Sequence, residues 1–360
     1  MDEFHCTTKI IAGSDAIQAL RHLNIQKLLL VCDPFLHKNG TADRIIAAVG
    51  TIEHRVFSQI VPDPSVSLAA KGAAELQAFQ PDTVVALGGG STMDCAKAMT
   101  YFSGISPRFI AIPTTSGSGS EVTNFAILTH EGVKHPLVDD KLKPNIAILD
   151  DTLVTSLPPS LVADGGFDLI SHAMEAYVAK NNSHISNLLA CDAFRAAMEH
   201  LLPSFRGDTS RRGQVHLAAS MAGIAFSQAG LGLCHAISHS IGGSFHVPHG
   251  RLNAILLPAV MSQNAAVCSG QYALLARQSG LSTGSDAMAV RALRNALIRL
   301  RRSLQLPETL TEAGIDLTQL SAKMDDLITA AIDDPCSKTN PIEPNREMIR
   351  TIISEVAGRG

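Results

Sequence analysis

Four histidines, His235, His239, His246 and His249, fall within fifteen residues of a 360-residue chain that has fourteen in all. Upstream, Asp168 and His172 stand four apart in a stretch, Asp164 to Glu175, that reads as the start of a helix. That spacing puts a carboxylate and an imidazole on one helical face. His235 and His249, fourteen apart, would add two more imidazoles, one from a helix and one from the loop after it. One carboxylate and three imidazoles suit a divalent metal such as Fe²⁺ or Zn²⁺, with a position left for a substrate oxygen. A single histidine is more often a satisfied core or helix-end residue, and spacing does not decide which four side chains would bind. The seven cysteines are scattered without a Cys-x-x-Cys pair, which fits reduced thiols in a cytoplasmic protein rather than a structural zinc site.

A second chemistry is written in two glycine- and hydroxyl-rich loops. Thr83 to Leu87 reads as a strand running into Gly88-Gly89-Gly90-Ser91, with Ser91 placed to cap a helix and Asp94 in its first turn. Glycines between a strand and a helix let backbone N–H groups approach a phosphate, and the helix N-terminus adds favourable partial charge. The strand Phe109 to Pro113 leads into Thr114-Thr115-Ser116-Gly117-Ser118-Gly119-Ser120-Glu121. Ligands of open α/β sheets bind at such carboxyl ends. Asp33, just after the strand Lys27 to Cys32, could accept hydrogen bonds from an adenosine ribose, or simply form a turn with Pro34. It precedes Gly88 by 55 residues, whereas the Rossmann fingerprint puts the acidic residue about 20 after the glycines. The spacing implies a Rossmann-like sheet of different construction, or no dinucleotide site.

The elements that would position these residues come in two halves. Up to about residue 150, β-branched runs (8–12, 27–32, 54–57, 83–87, 109–113, 146–149) alternate with helical stretches such as Val66 to Phe79. That alternation means βαβ units and a largely parallel sheet. After Leu157-Pro158-Pro159 the strand signal stops and long Ala/Leu/Ile/Met helices follow. The reading is an α/β Rossmann-like domain over 1–157 and an all-α, metal-binding catalytic domain over 158–360. Two domains also suit the length. Charged residues make up 17% and the net charge is −4, with no dense basic run. A nucleic-acid partner is not expected, and no apolar run is long enough to predict a membrane span. The low charge is consistent with a subunit contact.

Taken together, these landmarks resemble the iron-containing (group III) alcohol dehydrogenases from end to end. They are Gly88-Gly89-Gly90-Ser91-x-x-Asp94-x-x-Lys97, Pro113-Thr114-Thr115 with Gly117-x-Gly119-Ser120-Glu121, Asp168-x-x-x-His172, His235-x-x-x-His239, Pro248-His249-Gly250 and Thr339-Asn340-Pro341. The resemblance implies Asp168, His172, His235 and His249 as metal ligands and His239 as a non-ligand active-site histidine. It implies NAD(H) contacts at Gly89, Gly90, Ser91, Thr114, Thr115 and Ser118. Lys134 aligns less cleanly as another contact, and Asp33 matches the acidic position associated with NAD over NADP. Residues 225–233 and 245–250 look most like the 1-propanol and ethanol dehydrogenases of bacterial microcompartments. That likeness implies short-chain aldehydes and alcohols such as propionaldehyde and acetaldehyde, a homodimer, and association with a microcompartment.

Two other readings compete. A cyclising lyase of the dehydroquinate synthase type shares the layout but needs cations for an acidic substrate, and residues 161–179 and 229–250 contain no Lys or Arg. A microcompartment protein with a vestigial site would not need the full ligand set. Phe167, Ile170, Leu231, Leu233, Ile237 and Phe245 are expected either to wall a pocket for a short alkyl tail or to pack the helical core.

Overall fold

The protein, described here by a computed structural model over residues 4–131 and 133–358, divides into two compact units, His5–Leu157 and the chain from Pro158.

In the first unit six strands form one parallel sheet: β1 (Lys9–Gly13), β2 (Lys27–Cys32), β3 (Glu53–Phe57), β4 (Thr83–Gly88), β5 (Arg108–Pro113) and β8 (Ile146–Asp150), in the order β3-β2-β4-β5-β8-β1. A parallel sheet covered on both faces needs apolar side chains in both directions. Leu28, Leu30 and Cys32 pack with Val85, Leu87, Ile110 and Ile112 in one core. Leu29 and Val31 pack with Val84, Ala86, Phe109 and Ala111 in the other. Helices α1 (Pro34–Lys38), α2 (Thr41–Val49), α3 (Val66–Phe79) and α4 (Gly90–Ser103) connect the strands. An antiparallel hairpin, β6 (Phe125–His130) and β7 (Val133–Val138), was not expected from the sequence. Its second strand holds Pro136, and proline is tolerated only where a strand does not need its N–H.

The strand order accounts for the unusual spacing of Asp33 and Gly88. From β2 the chain moves outward to β3, then crosses back through α3 to β4 on the other side of β2. The topological switch therefore lies between β2 and β4. Cys32 is in register with Leu87, and Gly88 with Pro113. Asp33, Gly88 and Thr114 thus emerge side by side at the carboxyl edge, although 55 residues separate the first two.

The second unit is helical: α5 (Pro159–Val178), α6 (His184–Phe205), α7 (Arg212–Ala229), α8 (Leu233–Phe245), α9 (His249–Gln278), α10 (Asp286–Ser303), α11 (Leu317–Asp333) and α12 (Arg346–Val356). The helix carrying Asp168 begins at Pro159, five residues before the expected start at Asp164, because proline at the first helical position leaves no donor wasted. His249 is the first residue of α9 rather than part of a loop. By length and composition α9 could cross a membrane, but 67% of its most apolar stretch is buried. It is a core helix of this unit.

Candidate active site

Sixteen of the twenty residues of α5 are buried, so each polar group it carries inward needs a partner. Asp168, His172 and Glu175 lie at i, i+4 and i+7, along one face. Helix α8 presents His235 and His239 at the same spacing, and α9 presents His249 and Asn253. These three faces converge. Asp168 Oδ1 lies 3.8 Å from His172 Nε2, 3.7 Å from His235 Nε2 and 3.5 Å from His249 Nε2. Donor atoms of Asp168, His172 and His235 all fall within 4.8 Å of one another. The His172 ring is stacked between Phe226 and His235, at centroid distances of 4.4 and 4.5 Å.

Burial by itself would raise the Asp168 pKa. The imidazoles of His172, His249 and His235 outweigh it and hold the carboxyl well below the usual range. For His249 burial dominates and keeps the imidazole neutral, the form that can donate a lone pair to a metal.

Glu175 and Asn253 were not assigned roles from the sequence. The start of α8 has no side-chain cap of its own. Instead, the Glu175 carboxylate accepts from the backbone N–H of Gly232 at 3.0 Å and of Cys234 at 2.7 Å. Asn340 Oδ1 takes the N–H of Leu233 at 3.1 Å. The same Glu175 carboxylate meets His235 Nδ1 at 2.6 Å, which leaves Nε2 free to face Asp168. A Cβ on Gly232 would come within 2.8 Å of both Glu175 Oε1 and Asn340 Oδ1, so the close turn before α8 requires glycine. Asn253 Nδ2 donates to Asp168 Oδ1 at 2.9 Å, and its Oδ1 accepts from Ser238 Oγ at 2.5 Å. The i+7 position of Glu175 and the i+4 position of Asn253 were the available signals.

His239 points Nδ1 at Asp334 Oδ2, 2.9 Å away, and its ring stacks on His249 at 5.0 Å. Burial pushes Asp334 up, but the bond to His239 brings it down to about 2. Arg251 lies just past the cation-free stretch, and Asp164 engages it at 3.1 Å. Phe167, Ile170, Leu233 and Ile237 have no exposed surface and Leu231 almost none. They pack the core and do not wall a pocket. Phe245 lies under Lys323 Nζ, 5.4 Å from its ring centroid.

In the first unit the two loops touch. A Cβ on Gly89 would lie 3.1 Å from Thr115 Oγ1, and one on Gly90 would lie 3.2 Å from Ser118 Cβ. Gly89, not Ser91, is the N-cap of α4, and Ser91 lies inside the first turn. This leaves the leading N–H groups of α4 without a side-chain cap, the arrangement that suits an anion. Lys97 is buried and donates to Ser120 Oγ (2.9 Å), Thr123 Oγ1 (3.0 Å) and the Phe125 carbonyl (2.9 Å), while Ser120 Oγ donates to Asp94 at 2.8 Å. Burial lowers the Lys97 pKa to about 8 against the pull of Asp94 and Glu121. This network ties α4 to the second loop. Asp33 caps α1, accepting from Leu36 N at 2.8 Å. Lys134 pairs with Asp63 at 2.7 Å.

Residues 7–151 match the iron-containing alcohol dehydrogenase family, and residues 162–357 match the C-terminal part of the Fe-containing alcohol dehydrogenase family. The chain is 38% identical to the 1-propanol dehydrogenase PduQ of Salmonella typhimurium, over 99% of this chain and all of that protein. It is 35% identical to an NADPH-dependent butanol dehydrogenase of Clostridium saccharobutylicum, over 98% of this chain and 97% of that one. The solved structure of sulfoacetaldehyde reductase from Bifidobacterium kashiwanohense in complex with NAD⁺ superposes with a TM-score of 0.89 at 25% identity, covering all of both chains. The α/β unit and helical unit, with these motifs, define a metal- and nicotinamide-dependent oxidoreductase. The chain belongs to the iron-containing alcohol dehydrogenase family, which sets aside the cyclising lyase.

Proposed function

We propose that this enzyme interconverts short-chain aldehydes, propionaldehyde and acetaldehyde foremost, with their primary alcohols, using NAD(H) and one divalent metal held by Asp168, His172, His235 and His249. The observation that carries the reading is the single carboxylate oxygen of Asp168 faced by three imidazole Nε2 atoms at 3.5–3.8 Å. Tetrahedral bonds of about 2.0–2.1 Å hold neighbouring ligand atoms about 3.3 Å apart, so this donor set fits such an ion. An all-N/O set accepts Fe²⁺ or Zn²⁺, and the family favours iron. When bound, the metal supplies Lewis-acid polarisation of the substrate oxygen.

The chain's own residues do the rest. Glu175 fixes the tautomer of His235, and Asn253 holds the Asp168 carboxylate by its Oδ1. With Nδ1–H directed at Asp334, His239 keeps an Nε2 lone pair available to take the alcohol proton. Gly89, Gly90, Ser91, Thr114, Thr115 and Ser118 would hold the cofactor phosphates and ribose, with Lys134 nearby. Asp33, at the topological switch, would accept from a ribose of NAD and repel the 2′-phosphate of NADP. A sulfoacetaldehyde reductase that binds NAD⁺ supports NAD, and a propanol dehydrogenase supports the short alkyl substrate. Likeness to the 1-propanol dehydrogenase PduQ also supports association with a microcompartment, and the low share of charged residues agrees with a homodimer.

The test is NADH oxidation with C2 to C4 aldehydes after anaerobic Fe²⁺ or Zn²⁺ loading, with glycolaldehyde and succinic semialdehyde alongside. Propionaldehyde should give the highest kcat/KM. A preference for either polar aldehyde would refute the substrate, and no turnover on any aldehyde would refute the activity.

A further inference from the structure

Beside the cluster around Asp168, three more potential ligands converge within the helical unit. The imidazole of His239, a carboxylate oxygen of Asp334 and the sulfur of Cys336 all lie within 4.8 Å of one another, and all three residues are half-buried. Asp334 caps the turn Pro335–Thr339, its Oδ1 accepting from Cys336 N at 2.8 Å, so one short turn sets carboxylate and thiol side by side. The far end of that turn is tied to the start of α8, the helix that bears His239. Thr339 Oγ1 donates to the Leu231 carbonyl at 2.7 Å, and Asn340 Oδ1 takes the N–H of Leu233. Both sides of the cluster are therefore anchored to each other.

We propose that His239, Asp334 and Cys336 form a second cation site, selective for a thiophilic divalent metal such as Zn²⁺ or Cd²⁺. Imidazole, carboxylate and thiolate are the three zinc-ligand types, and three protein ligands leave a fourth position open. Bonds of about 2.0 Å to nitrogen and oxygen and 2.3 Å to sulfur place ligand atoms about 3.3–3.5 Å apart. The His239–Asp334 contact is already shorter than that, at 2.9 Å, and the cysteine sulfur lies within 4.8 Å of both. Charge also balances. One carboxylate and one thiolate neutralise a divalent ion, so the second site would add no net charge beside the first. Binding releases the thiol proton to solvent. Sulfur separates the two sites chemically: the Asp168 cluster has only nitrogen and oxygen donors, so soft ions prefer the second. An ion there would claim His239 Nδ1 from Asp334, and with it the imidazole that faces His249.

The site stands apart from the ligand assignment at Asp168, because only the second cluster can give a sulfur-to-metal signal. The experiment titrates the iron-loaded protein with Cd²⁺ anaerobically. It follows thiolate-to-cadmium charge-transfer absorption in the ultraviolet, with iron and cadmium contents measured after desalting. The wild type should retain its iron, take up one cadmium per chain and develop the band. Cys336→Ser should lose both the band and the extra equivalent, and Cys336→Ala gives the same test should the serine variant fold poorly. Asp334→Asn should weaken cadmium binding, about tenfold or more. Cys234→Ser should keep the band. All proteins compared also carry Cys6→Ser and Cys191→Ser, which removes the two other thiols nearer the surface from both signals. No band in the wild type, or a band that survives in the Cys336 variants, would overturn the proposal.

Discussion

Glu175 holds His235 Nδ1 at 2.6 Å with the same carboxylate that accepts the N–H groups of Gly232 and Cys234 at the start of α8. One side chain thus closes a helix end and fixes the tautomer of a candidate metal ligand. Glu175→Gln keeps the shape but offers a donor where acceptors are needed, so metal affinity should fall about 10–100-fold. Glu175→Ala strands buried N–H groups and should lower stability by about 2–4 kcal/mol. Metal titration and denaturant unfolding read the two effects separately. A Gln variant with wild-type affinity would show that the tautomer does not matter.

His235 couples metal binding to pH. Burial lowers its basicity, but the neighbouring carboxylates of Asp168 and Glu175, the second hydrogen-bonded to its Nδ1, more than compensate and bring its pKa up to about 9 in the metal-free protein. A value raised above the unfolded one means that protonation stabilises the fold. That contribution is complete below about pH 6.5 and is lost as pH rises through 9. A metal must displace the same proton. Affinity should therefore rise about tenfold per pH unit between pH 7 and 9 and then level off, while the metal-free Tm falls over that interval. Calorimetric titrations at pH 7, 8 and 9 check the slope, and a flat affinity would contradict it.

Gly250 follows His249 at the start of α9, where a Cβ would collide with the carbonyl of Asp164 on α5. Backbone cannot rotate away as a side chain can. Gly250→Ala should push the α9 terminus off α5, displace His249, and cost about 1–3 kcal/mol of stability. Bound metal should drop with it. A Tm and a metal content unchanged from the wild type would mean that the two helices have slack.

Asp33 caps α1 and stands beside Gly88 at the sheet's switch point. Asparagine caps as well as aspartate, so Asp33→Asn removes the charge while keeping the turn. NADPH use relative to NADH should rise, by about tenfold for the loss of one repulsive charge. The ratio of kcat/KM values for the two cofactors measures it. A wild type that already favours NADPH would remove the role given to Asp33.

The sequence disclosed most where local pattern and final environment agree. The strand at 27–32 has the expected bounds because it is an unbroken apolar run buried on both faces, and the helix at 66–79 because its apolar residues recur at helical spacing. Hairpin β6–β7 was not foreseen: its first strand, Phe125–His130, is short and only partly buried, and its second contains Pro136. In the site, the family resemblance singled out Asp168, His172, His235 and His249, and by type and spacing they stood out as candidates together with His239 and His246. Glu175 and Asn253 did not, since a buried carboxylate or amide is recognisable only from the partners that the fold delivers. The apolar residues near the ligands were ambiguous for the same reason. Periodicity marks a buried face without saying whether it meets a substrate or another helix, and Phe167, Ile170, Leu233 and Ile237 meet helices.

The most direct test of the account is the iron content of Asp168→Ala beside the wild type after anaerobic loading with Fe²⁺ and desalting. All three imidazoles face the Asp168 oxygen, so removing it should abolish the site. The account predicts about one iron per chain in the wild type and about a tenth of that or less in the variant, with the helical circular dichroism unchanged. Stoichiometric iron in Asp168→Ala would contradict it.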